Sequence, residues 1–87
     1  MTDAERAWLV ERSYSDKGLV TLVYATADGE GHVRMQRSST MLQSTDVTAA
    51  RDVDPDRLVP VEDPDLRERY ASEAARMLER HDPDDAV

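Results

Sequence analysis

Apolar residues recur at every second position through the first half of the chain and at helical spacing near its end. From Trp8 to Tyr14, the residues Trp8, Val10 and Tyr14 alternate with Leu9, Glu11 and Ser13, and Arg12 is the polar exception on the heavier face. Leu19 to Thr26 is apolar on both faces and rich in Val, Thr and Tyr, which predicts a central strand. Val33, Met35 and Met41 alternate with Arg34, Gln36 and Thr40, the pattern of a strand with one wet face.

The turns between these segments predict a register. Asp28-Gly29 reads as a two-residue type I′ hairpin, pairing Ala27 with Glu30, Tyr24 with Val33, Leu22 with Met35 and Val20 with Arg37. Ser15-Asp16-Lys17-Gly18 suits a turn with Gly18 in the left-handed region. A three-residue loop there sets Tyr14 opposite Val20 and Val10 opposite Tyr24, with Trp8 on the same face. A two-residue loop would instead pair Leu9 with Tyr24 and turn Trp8 to the back.

Val47 to Val53 is a weaker strand candidate, interrupted by Asp54-Pro55-Asp56, and Leu58, Val59 and Val61 follow around Pro60 as an edge or loop segment. Asp63-Pro64-Asp65 then opens a helix, with a capping acid, Pro at the first helical position and a second acid on the positive end of the dipole. Leu66, Tyr70, Ala74, Met77 and Leu78 form its apolar stripe, and the helix should stop near His81, before Pro83.

The predicted fold is α+β: an antiparallel three- to four-stranded meander sheet covered on one face by a C-terminal helix. Trp8, Val10, Tyr14, Val20, Leu22, Tyr24, Val33 and Met35 are expected to meet the helix stripe. Residues 1–6 read as a flexible N-terminus, 7–81 as a single domain and 82–87 as an acidic disordered tail. The opposite sheet face would carry Leu9, Leu19, Val23 and Ala25 beside Thr21, Arg34, Gln36 and His32. Leu19 and Val23 are the candidates there for contact with a protein partner or a second copy, since a homodimer would supply burial that so small a domain lacks.

Charge sets the solvent in which this small core is stable. The chain has 87 residues, 19 acids against 11 bases and a formal charge of -8. Ile, Phe and Asn are absent, and Lys17 is the single lysine beside ten Arg. GC-rich coding accounts for that bias but not for the acid excess, and the two together predict a cytosol at molar salt. At about 1 M salt the Debye length is about 3 Å, so self-repulsion among exposed charges fades. With no Cys there is no disulfide framework and no thiolate site. The polar start reads as no secretory leader, and no apolar run is long enough for a membrane span, so a cytoplasmic protein is expected.

Few residues suggest chemistry. Asp52, Asp54, Asp56 and Asp63 imitate part of a calcium loop, but Arg57 stands where the turning Gly is needed and Pro55 and Pro60 stiffen the run. His81 with Asp82, Asp84 and Asp85 lies beyond the helix and imposes no metal geometry. No nucleophile elbow, phosphate loop or dinucleotide fingerprint is present, so no cofactor and no enzymatic activity are expected. The net charge and the lack of a basic aromatic stripe argue against nucleic acid. Arg34, Arg37, Ser38 and Ser39, with Thr40, make the most polar patch near the sheet and are the candidate ligand residues for an anion. Arg34 and Arg37 fall on opposite faces of one strand, which counts against a shared clamp.

The run VERSYSDKGLVTLVYATADG from Val10 to Gly29, the segment Asp46-Val47-Thr48-Ala49-Ala50 and the closing RERYASEAARMLERHDPDD resemble a family of short, acidic, uncharacterised proteins from halophilic archaea. The resemblance rests on turns, strand alternation and a helix stripe, and implies the habitat without assigning a site. The function these features suggest first is a small non-enzymatic protein-interaction domain adapted to high salt. The second is a small-molecule or anion-binding module using the Arg34–Thr40 strand.

Overall fold

The computed structural model describes residues 4–40 and 47–87; Met41, expected at the end of the third strand, lies outside them. Among the described residues the strands are β1 (Glu5–Tyr14), β2 (Leu19–Ala25), β3 (Gly31–Ser38), β4 (Ala50–Val53) and β5 (Val59–Pro60), and the helix α1 (Pro64–Arg80) follows them; Ser39 and Thr40, directly after β3, are also helical. All pairings are antiparallel, in the order β4-β1-β2-β3-β5. The first three strands form the expected meander. The weaker candidate resolves as β4, which returns to pair with β1. Pro55–Arg57 then forms a short 3-10 turn, and β5 pairs with β3. The segment between β4 and β5 thus passes from one edge of the sheet to the other. Asp54 caps its turn by accepting from the Asp56 N–H, and Asp63 caps α1 by accepting from the Asp65 N–H. Two acids that imitated a calcium loop are therefore helix caps.

The β2–β3 register is the expected one, with Tyr24 opposite Val33, Leu22 opposite Met35 and Val20 opposite Arg37. The turn that joins them is different. Gly29 (φ 73°) alone in this loop has positive φ, so Asp28-Gly29 is not a type I′ pair. The Gly29 N–H donates to the Thr26 carbonyl, while the Asp28 carboxylate accepts from the Thr26 hydroxyl and the Glu30 N–H. The helix adds its own demand for glycine: a Cβ at position 29 would collide with the Arg67 carbonyl and the Ala71 N–H.

Between β1 and β2 the Gly18 loop sets Tyr14 opposite Val20 as expected, but a bulge at Val10 then pairs Leu9 with Tyr24 and Trp8 with Ala25. Past the bulge every side chain changes face relative to the expected register. Trp8, Val10, Val23 and Ala25 consequently lie under Tyr70 and Ala74 of α1, with Ala49, Ala50 and Val61. Ala7, Leu9, Val20, Leu22, Tyr24 and Val53 form a second core on the other side. This corrects the expected assignment of Val20, Leu22 and Tyr24 to the helix face. Alanines at 25, 49, 50 and 74 leave room there for the indole of Trp8. Tyr14, also expected in the core, is 70% exposed.

Glu5 and Arg6, assigned to a flexible N-terminus, pair with Val53 and Asp52 of β4. Instead of trailing away, residues 82–87 fold back along 47–50. The Ala49 N–H donates to the Asp85 carbonyl, the Val87 N–H donates to the Val47 carbonyl, and Ala86 bridges to Thr48. Among the described residues no helix is long and apolar enough to cross a membrane.

Candidate functional site

The sheet face opposite α1 is buried as well. Tyr24 is 1% and Leu22 3% exposed, and an arginine from the far edge of the sheet lies over the Tyr24 ring. Arg51 of β4 places its guanidinium carbon 5.8 Å from the Tyr24 ring centroid and Nη1 3.1 Å from Met35 Sδ. In a flat sheet β4 and β3 would stand about 14 Å apart, three inter-strand spacings. The contact therefore requires a sheet curled concave on this side, and the small side chain of Ala7, opposite Arg51 on β1, leaves the path open.

Burial pushes the Tyr24 phenol above its ordinary pKa, and the charges of Arg51 and Arg12, the bond to Thr48 and the charge of Arg37 act against it. Its hydroxyl donates to the Thr48 carbonyl at 3.2 Å. At the other end of this face, Arg12 Nη2 donates to the Val87 carbonyl at 2.8 Å, while its Nε is buried without a partner.

Beside Met35 opens a pocket of about 510 Å³ lined by Val33, Arg34, Met35, Gln36, Arg37, Arg51 and Arg57. Four of the ten arginines in an acidic chain border one cleft. Elsewhere, Arg6, Arg69 and Arg76 sit within 4.0 Å of Asp52, Glu11 and Glu73. Among the described residues no carboxylate lies that close to Arg34, Arg37, Arg51 or Arg57. Arg37 instead donates from Nη1 to the Gln36 carbonyl at 2.8 Å, with Nη2 3.9 Å from Met35 Sδ. The opposite-face objection to Arg34 and Arg37 falls away for a geometric reason. β5 pairs only with Gly31 and His32, so among the described residues β3 is an edge from Val33 onward, and the cleft wraps around it.

The candidate residues from the sequence divide accordingly. Arg34 and Arg37 line the pocket; Ser38 and Ser39 do not, and Ser39 instead donates its N–H to the Gly18 carbonyl at 2.8 Å. Leu19 is 40% exposed at the hairpin end, whereas Val23 is fully buried beneath α1. The face that was to carry a contact at Val23 is thus the one the helix covers. Arg51 and Arg57 were missed. They sit among Asp52, Asp54 and Asp56 in sequence, and only the edge-to-edge passage from β4 to β5 brings them to β3.

The two histidines stand apart from this cleft. His32 stacks near Tyr70, with ring centroids 5.9 Å apart, and its Nδ1 is buried without a partner. His81 Nδ1 lies 3.7 Å from Asp85 Oδ2. Burial and the Glu11 charge push Tyr70 above its ordinary pKa, against the charges of Arg34 and Arg69.

Fold and cleft together define a small α+β domain with an arginine-lined pocket at a sheet edge. The chain belongs to a family of unknown function, DUF7967, whose model matches residues 1–87. No curated protein and no solved structure matches the chain.

Proposed function

We propose that this chain is a non-enzymatic binding module whose pocket at Arg34, Arg37, Arg51 and Arg57 takes an anionic group. The observation that carries the reading is the gathering of four guanidinium groups, with no carboxylate of the described residues within salt-bridge distance, on a chain of net charge -8. Acids are plentiful enough to neutralise every arginine, so a cluster left without them is poised for an external anion. Guanidinium forks bind carboxylate or phosphate oxygens in pairs, which suits a compact anion better than a diffuse one.

The acid excess and arginine bias support a home in concentrated salt, inside the cytoplasm of a halophilic organism. There, attraction at a distance is screened, and only groups in direct contact contribute much. Protein contact is a second reading, supported by the exposed Tyr14 and Leu19 at the β1–β2 hairpin; a homodimer through that end would cover both.

Titration calorimetry with tripolyphosphate tests the anion site. The wild-type protein should bind it, and the Arg51→Met/Arg57→Met double variant should bind at least about tenfold more weakly, the scale of losing one or two charge-assisted hydrogen bonds. Equal binding by both proteins, or none by either, would remove the reading.

A further inference from the structure

The arginines border more than a pocket: they flank a strand edge whose outward backbone groups pair with no strand among the described residues. The Thr26 N–H donates to the Gly31 carbonyl, and the Val61 N–H donates to the Glu30 carbonyl. Gly31 therefore turns its groups toward β2 and Glu30 turns outward. Alternation along the strand then points the N–H and C=O of Arg34 and Gln36 away from β2. The β5 ladder stops at His32, so among the described residues no strand meets them. The Gln36 carbonyl confirms the direction, since it accepts from the Arg37 side chain rather than from a backbone N–H. An edge of this kind is a template for another extended chain.

We infer that the occupant is an acidic extended peptide segment of another protein, which pairs with β3 at Arg34 and Gln36 and sets alternate carboxylates against the flanking guanidinium groups. The inference rests on the anion reading above and names the partner it would serve. Backbone bonds supply contact-range attraction that survives screening, which a free anion in concentrated salt lacks. On docking, an incoming N–H takes the Gln36 carbonyl and frees Arg37 for a carboxylate. Arg37 and Arg51, which both reach Met35 Sδ, stand on one face of β3 and match a strand whose alternate acids lie on that face.

A second copy of this chain is the poorer occupant. Gly31–Ser38 contains two arginines and no acid, so self-pairing brings guanidinium groups together without a counter-charge. Like charges across a strand pair are destabilising.

The test uses the full chain, a capped seven-residue peptide of Glu alternating with Val, and the same peptide N-methylated at alternate backbone nitrogens. Amide hydrogen exchange followed by NMR should slow at Arg34 and Gln36 when the parent peptide binds. The N-methylated peptide should bind about tenfold or more weakly, the order of one or two lost backbone bonds. Unchanged exchange at those amides, with tripolyphosphate still binding, would overturn strand addition and leave the anion site standing. Failure of both probes would remove both. Protection of the same amides in a peptide-free dimer, detected by light scattering, would assign the edge to a second copy and overturn the inference.

Discussion

The two faces of the sheet are buried to a similar degree by different means. On one side, α1 comes close because alanines and Gly29 leave room for its backbone, and Trp8 fills the space among them. On the other, Tyr24, Leu22 and Val20 pack with Val53 and Leu58 around the β4–β5 crossing and with Val47 and Val87, and Arg51 lies over the Tyr24 ring. The first face is closed by packing alone. The second is closed partly by a charged side chain whose head group remains at the surface, so burial and a charged rim arise from the same residue. A chain with few large apolar residues can thereby cover both faces of its central strand.

Four substitutions would break or sharpen that contrast, read by urea unfolding at high KCl. The largest effect is expected from Leu22→Ala, at about 3 kcal/mol, because Leu22 is a core residue and not part of a wet face. A near-neutral result would mean that the concave side is solvated. Gly29→Ala should cost at least about 2 kcal/mol, from the left-handed backbone and the collision with α1. Gly18→Ala, with a similar φ of 77° but only Ser39 Oγ at 3.5 Å, should cost about half as much. Equal losses at the two glycines would deny the close approach of helix to turn. Tyr24→Phe removes one bond to the Thr48 carbonyl and should cost about 1 kcal/mol while leaving the Arg51 stacking in place.

The smallest effect concerns Asp28. Its carboxyl is held below the ordinary aspartate value, first by the Thr26 hydroxyl and then by the Glu30 N–H. A depressed folded pKa means that this stabilisation is present above the unfolded value and is lost as pH falls through the lower, folded one. Asp28→Asn keeps a turn-forming side chain but cannot ionise. The gap in urea midpoint between wild type and variant should therefore narrow as pH drops below about 4. A gap that is constant across this range would show that the carboxylate charge is not what holds the turn.

What the sequence made legible was local. The β2–β3 register, the Gly18 loop and the capped start of α1 depend on residues a few positions apart, and each was readable. The bulge at Val10 was not, because nothing in Leu9-Val10-Glu11 marks an extra residue, and it decides where Trp8 points. The choice of helix face was equally hidden: β2 is apolar on both sides, so alternation alone ranks neither. Arg34 and Arg37 could be nominated from their strand, but Arg51 and Arg57 could not. Their place depends on a chain crossing from one sheet edge to the other, recorded in no short-range pattern. The return of residues 82–87 along 47–50 rests on backbone bonds that an acidic composition conceals.

The most direct measurement is a map of amide NMR shifts on titrating tripolyphosphate into the protein at high KCl. The account predicts shifts concentrated at Val33–Arg37, Arg51 and Arg57, with the amides around Tyr70 and Ala74 unmoved. Shifts centred on α1, or spread evenly over the surface, would contradict it.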